Sequence, residues 1–470
     1  MDNKDKRANK MQHKDTVVAL SETDERALLR KVTWRLMPLL LVGYFFSFID
    51  RSNVGVMATP LSESLGLTAA TFGLAAGLFY VGYLIFEIPS NLAITRFGAR
   101  IWIGRILVMW GLITISMAWM TGPNSFYILR ILLGAAEAGF YPGVLFYLTL
   151  WFPRHALHGA YSLFALCVPF SLGVGAIVTS SLLLLDGKMG LTGWQWVFIL
   201  EGLPAAALGV YYFLKLPARP EEASWLTPAE AQYLSAQASR PTDSQHGELS
   251  HIGTVAMKGA TWIFTLLYFC MVIGFWSATY FLPRIVQERF HVDTVHAGMI
   301  SSMPWILAFV TIWVVSKTAK ATGDRRWHML VLLCMSGIGM LIAAYTQSPI
   351  FALVGIAMAA AGIQGSTPLF WTMPSTVFRG ALAAVALALI NSIGNISGLV
   401  GPWVLGALTT STGNSRMGLY VMAGCFFLAS ILAFVISTHV SRQQAKGAYD
   451  VPKLEQEVEP TVDGRTSLQP

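Results

Sequence analysis

The stretch LMPLLLVGYFFSFIDRSNVGV, residues 36–56, is almost wholly apolar up to Ile49 and then places Asp50 directly beside Arg51. As a helix rising 1.5 Å per residue it reaches about 31 Å, enough to cross a hydrocarbon core ~30 Å thick. The surrounding composition favours that reading. Of 470 residues, 54% are hydrophobic and only 12% charged, with 27 Phe and 15 Trp, so the chain's main solvent is lipid.

Further windows of similar length follow at 72–95, 102–120, 126–150, 159–185, 194–216, 262–282, 296–315, 328–345, 350–377, 381–408 and 418–439. With the first they make twelve. The long polar break between the sixth and seventh contains ARPEEASWLTPAEAQYLSAQASRP, whose Pro, Ser, Gln and Glu content suits a water-exposed linker with a short helix. The expected fold is an all-α integral membrane protein of twelve transmembrane helices in two six-helix halves. Its parts are an N-terminal segment (1–35), a first half (36–216), a central linker (217–258), a second half (259–440) and a disordered tail (441–470).

Lys and Arg cluster in loops retained on the cytoplasmic side. Nine such cations, from Lys4 to Arg35, precede the first window. Arg96 and Arg100 follow the second, Lys317, Lys320, Arg325 and Arg326 the eighth, and Arg442, Lys446 and Lys453 lie in the tail. The opposite loops hold Lys188, Arg284, Arg289 and Arg416. Both termini and the linker are therefore expected in the cytoplasm, and the net charge of +7 reflects this bias without any nucleic-acid partner. The polar first 35 residues predict no cleavable signal, so the first span directs insertion. Cys167, Cys270, Cys334 and Cys425 fall one per span without CxxC spacing, which points to packing thiols and to no metal or disulfide.

The halves echo each other: TRFGARIW after the second window is answered by ATGDRRWH after the eighth. Gly and Pro interrupt the fifth window in FALCVPFSLGVGA and the eleventh in NSIGNISGLVGP, the pattern of broken helices at a central transporter site or of close helix packing.

Ionisable residues inside spans are rare and costly, and they mark candidate sites. Asp50 and Arg51 point about 100° apart on a helix and need different partners. In FYILRILLGAAEAGFYPG, Arg130 and Glu137 are seven residues apart, two turns or about 10.5 Å along one face. Two readings stand. The four charges either neutralise one another structurally, or supply an anion clamp (Arg51, Arg130) and proton-coupling carboxyls (Glu137 first, Asp50 second). Glu87, in FEIPSN, is placed near the cytoplasmic interface, and Tyr83 lies one turn before it. In the second half, Gln364, Trp371, Asn391 and Asn395 are polar or amphipathic groups in apolar spans. Each reads either as a substrate contact or as helix packing.

FIDRSNVG, FEIPSNLAITRFGAR, RILLGAAEAGFYPG, WQWVFILEGLPA and ALINSIGNISGLVGP together resemble the major facilitator superfamily, specifically its anion:cation symporter branch, across nearly the whole chain. That resemblance implies a rocking importer of a small organic carboxylate (an aromatic acid, hydroxydicarboxylate or sugar acid) driven by protons, in a bacterial inner membrane. No cofactor or metal is implied, and a monomer is expected to suffice. It further implies that Asp50, Arg51, Arg130, Glu137 and Tyr83 act at the central site, with Arg96 and Arg100 at the cytoplasmic gate. The usual acid of the signature loop is Thr95 here, which shifts the expected gate toward Asp324, Arg325 and Arg326. A drug antiporter's GPxxGG-like signature is missing from the fifth window. An uncoupled exchanger or facilitator is the alternative. An enzyme is not expected, since HExxH, GxSxG and GxxxxGK[ST] are all absent.

Overall fold

The computed structural model describes residues 21–238, 253–322, 324–378 and 381–445. The expected tail beyond residue 445, residues 1–20 and linker residues 239–252 lie outside this set, as does the side chain of Arg325. Among the described residues twelve helices are long and apolar enough to cross a membrane. They are α1 Glu22–Val56, α2 Ala69–Phe97, α3 Ala99–Trp119, α4 Pro123–Thr149, α5 His155–Leu183, α6 Gly193–Lys215, α7 Gly259–Phe290, α8 Thr294–Thr322, α9 Arg326–Tyr345, α10 Pro349–Trp371, α11 Val385–Thr412 and α12 Arg416–Thr438.

Helix α1 begins fourteen residues ahead of the apolar window. Ser21 caps it through a hydrogen bond from the Asp24 amide, and Glu22, Asp24 and Glu25 sit at the positive end of its dipole. The extension carries the helix beyond the lipid-length segment into the region where the linker docks. There the expected short helix forms over Pro228–Gln237, started by Thr227 and Glu230 in a capping box. Lys31 of α1 bonds Glu230 at 2.9 Å, Arg100 bonds Glu222 at 3.1 Å, and Trp225 stacks on Trp151. This described part of the linker is fastened to the first half.

The two halves repeat one packing scheme: α3 against α6, α2 against α4 and α1 against α5 are matched by α9 against α12, α8 against α10 and α7 against α11. The halves meet where α2 faces α11, α5 faces α8 and α1 faces α7. Between α2 and α11, at the ends remote from the linker, the contact is backbone to backbone. A Cβ on Gly73 would collide with the Pro402 carbonyl and one on Gly406 with the Ala69 carbonyl, so only glycine permits this approach.

The interruptions fall partly where the sequence placed them. Helix α11 is broken at Asn395–Ile396, as expected, but α5 runs through Pro169 without a break. A lone proline removes one N–H and leaves the rest of the ladder intact. The unexpected break is in α4, where Ala138 turns extended and Gly139 takes a left-handed φ of 85°. Helix α10 also stops at Trp371, short of the expected 377, because Pro374 starts a separate turn over Pro374–Val377.

Candidate functional site

The break in α4 leaves Glu137 as the last residue of a helical segment, fully buried against α1. Glycines position that segment: a Cβ on Gly82 or on Gly134 would strike the opposing backbone, so α2 and α4 pack in contact. That contact seats Arg130 against Ala76 and Phe79 of α2.

Arg51 donates to one oxygen of Glu137 from Nε at 2.9 Å and Nη2 at 2.7 Å, and Ser47 donates to the same oxygen. The other oxygen, Oε2, is buried without a partner among the described residues. The Arg51 guanidinium lies 5.1 Å from the Phe79 ring centre, 5.2 Å from Tyr83 and 5.5 Å from Phe48, an aromatic cage for a cation. Arg130 is wholly buried, yet among the described residues it has no carboxylate within ion-pair distance. Its Nη2 donates to the Ala76 carbonyl at 2.9 Å and to the Tyr280 hydroxyl of α7 at 3.3 Å; its Nε and Nη1 are buried with no acceptor. The buried Tyr80 hydroxyl likewise lacks a partner.

Asp50 turns the other way, as its adjacency to Arg51 predicted. Its Oδ2 accepts from Trp110 and, at 2.8 Å, from Thr114, both on α3. Asn53 bridges Asp50 to Glu201 of α6, donating to the latter at 2.8 Å, and Thr179 donates to the other Glu201 oxygen at 2.7 Å. The four charges are therefore no single neutralising network: Arg51 and Glu137 form the one ion pair among them. Glu201 is a buried charge absent from the candidates the sequence suggests, although WQWVFILEGLPA contains it. An acid in the middle of a 23-residue apolar helix was the available signal.

Glu87 does not extend to the molecular surface. It is buried in α2, accepting from Asn391 at 3.4 Å and Ser392 at 3.2 Å, both of α11, while Asn395 donates to Asn391 at 3.1 Å. Asn391 and Ser392 thus join the halves toward the linker end, and Asn395 braces Asn391 within α11. Gln364 is buried in α10 apart from these contacts, and Trp371 packs edge-on against Tyr268 of α7 at 4.8 Å. Of the expected gate residues, Arg96 is exposed beside Phe97, Arg100 holds the linker through Glu222, and Asp324 caps α9 through the Arg326 and Trp327 amides. Arg326 stacks on Trp327 and Phe434.

Residues 40–402 match the Major Facilitator Superfamily, and the twelve helices pack in its two-half arrangement. The chain belongs to that superfamily. A putative tartrate transporter of Agrobacterium vitis is 37% identical over 418 residues, covering 88% of this chain and 92% of the relative. A quinolone resistance transporter of Acinetobacter baumannii is 35% identical, covering 90% and 98%, and the putative metabolite transport protein NicT of Pseudomonas putida is 36% identical, covering 87% and 94%. Among solved structures, an inward-facing, occupied bacterial homologue of the lysosomal transporter Spinster superposes with a TM-score of 0.70 at 17% identity, covering 89% and 98%. The inward-open xylose transporter XylE of Escherichia coli gives 0.67 at 14%, covering 89% and 100%; both likenesses are of fold alone. The protein is thus a multi-pass membrane transporter, and its relatives are transporters rather than enzymes.

Proposed function

We propose that this superfamily member imports a small organic carboxylate together with protons, by alternating access, across a bacterial inner membrane with both termini in the cytoplasm. The observation that carries the reading is Arg130, a fully buried guanidinium that has, among the described residues, no carboxylate partner and two nitrogens without acceptors. An uncompensated buried cation is costly, and an organic anion supplies the missing charge and acceptors together. The Agrobacterium vitis relative, a putative tartrate transporter, supports a carboxylate as the class.

Coupling follows from the neighbouring pair. While Glu137 is ionised it holds Arg51 through two N–H donors. A proton arriving on the unpartnered Oε2 cancels the charge that holds Arg51, and the guanidinium is freed to join Arg130 on the anion. Substrate and proton then load together because each removes the other's electrostatic penalty. Asp50, held by neutral donors, is the second coupling candidate. No cofactor enters this scheme, and one chain contains the whole site.

Purified protein in liposomes tests the reading: adding tartrate, benzoate or gluconate outside should acidify the lumen for the compound that is carried. If none of a broad carboxylate panel moves protons or raises the melting midpoint, the reading fails. The quinolone resistance relative favours a second reading, export of a carboxylate-bearing drug. A quinolone in the same panel, moving out against its gradient while tartrate does not enter, would establish that instead.

A further inference from the structure

From the contact between α4 and α7, we infer that the Tyr280 hydroxyl competes with the substrate carboxylate for Arg130, so that closing the end of the molecule remote from the linker weakens the anion clamp. This rests on the carboxylate reading above.

A guanidinium binds a carboxylate bidentately along either of two edges, and both edges include the same terminal nitrogen, the one trans to the chain. In Arg130 that nitrogen is Nη2, and it is the occupied one: its two donors go to the Ala76 carbonyl and to Tyr280. The free nitrogens, Nε and Nη1, lie on different edges, so each edge of this guanidinium has one donor available and one engaged. A carboxylate meeting Arg130 in this state gains one strong bond where a free edge offers two.

The two partners of Nη2 differ in kind. Ala76 belongs to α2, packed against α4 within the first half, and stays with Arg130 in any rigid-body rocking of the halves. Tyr280 belongs to the second half. It reaches Arg130 because the end of α1 lies against α7 at this point: a Cβ on Gly55 would stand 2.7 Å from the Thr279 carbonyl and 2.9 Å from the Tyr280 Cα. Its ring is fixed by stacking on Trp276, 5.7 Å between centres, which in turn packs on Tyr80 of α2 at 5.3 Å. Parting the halves at this end withdraws the hydroxyl and completes one edge of Arg130; closing them returns it. The anion is captured by a complete fork and faces a competitor once the entrance has shut, which favours release toward the linker side. Tyr280 is thus a positioning residue for transport.

The test compares wild type with Tyr280→Phe, which keeps the ring and removes the hydroxyl. Equilibrium binding of tartrate, benzoate and gluconate is measured in detergent, then net uptake and substrate exchange in liposomes. For whichever probe binds wild type, the variant should bind about 5-fold to 10-fold tighter, the scale of one ordinary net hydrogen bond. Its net uptake should slow several-fold, with exchange better preserved, because release limits the cycle. Unchanged or weaker binding in a folded Tyr280→Phe protein overturns the proposal, weaker binding because it makes the hydroxyl a substrate ligand. If the Phe variant fails to elute as a single species, Tyr280→Leu serves for the same comparison, with the same outcomes. Absence of binding to wild type by every probe defeats the carboxylate reading itself, and this inference with it.

Discussion

At the scale of single residues the site separates two kinds of buried charge. Arg130 is a buried cation without an anionic partner among the described residues, so Arg130→Lys should cut uptake by about 10-fold to 100-fold, since an ammonium cannot present a planar fork. Uptake of the carried acid in liposomes reads this, and a wild-type rate would move the anion site elsewhere. Glu137→Gln keeps the shape and removes the titration, so proton-driven accumulation should be lost while exchange of substrate for substrate continues. Accumulation against a gradient with wild-type proton flux would sink the role given to Glu137. Glu201 differs: Asn53 and Thr179 both donate to it within a buried cluster. Glu201→Leu strands those donors, at about 1–3 kcal/mol each, and should lower the yield of folded protein, whereas Glu201→Gln should largely preserve it. Size-exclusion chromatography of the two variants checks this. The divergence of Asp50 and Arg51 was legible from helical spacing alone. Their partners were not, because which neutral donor faces Asp50 depends on the rotation of α3 and α6, about which spacing within α1 says nothing.

At the scale of elements, hydropathy located every span, since lipid demands an apolar run of fixed length, but it could not see where helices exceed that length. Helix α1 grows outward from its cap at Ser21, and the polar extension meets the linker helix through Lys31 and Glu230. Partial burial raises the pKa of Glu230, but the Thr227 amide and Lys31 outweigh it and hold the carboxyl below its ordinary value of 4.5. A depressed carboxyl contributes stability above its unfolded pKa and loses it as pH falls through the folded one. Linker docking should therefore be intact at neutral pH and weaken only at pH values below about 4.5, by less than about 1 kcal/mol for so exposed a pair. Hydrogen-exchange protection of residues 228–237 in detergent reports it: Glu230→Gln at pH 7 should show the small loss of protection that wild type shows well below pH 4.5. Equal protection in both proteins at pH 7 would mean that Trp225 stacking and the capping box suffice. The break in α4 was hidden for another reason, since an Ala-Gly pair in a run of small residues is equally compatible with a straight helix.

At the scale of the whole molecule, the count of six plus six was readable because each span carries its own signal, while the seam between halves was not, because it is written in glycines that serve equally well within a half. Gly73 and Gly406 mark it on the side remote from the linker, where α2 and α11 touch through their backbones, and Glu87 with Asn391 and Ser392 marks it toward the linker. The two seams differ in mechanics. Backbone contact seals only if no side chain intervenes, whereas a carboxylate with two neutral donors at 3.2 and 3.4 Å is a modest bond that can be made and broken in each cycle. Gly73→Leu should therefore wedge the remote side open. Such a protein should still bind its carboxylate, because the first-half residues Arg51, Arg130 and Glu137 keep their places, and should bind it tighter if Tyr280 is withdrawn from Arg130. It should catalyse neither net uptake nor exchange, since both require that side to close. Glu87→Ala acts on the other seam and should leave exchange intact while altering the net rate by no more than several-fold. Binding by calorimetry beside both flux assays distinguishes these outcomes. Wild-type flux through Gly73→Leu would show that the halves close without the approach of α2 to α11, and the alternating-access geometry drawn from this seam would be wrong.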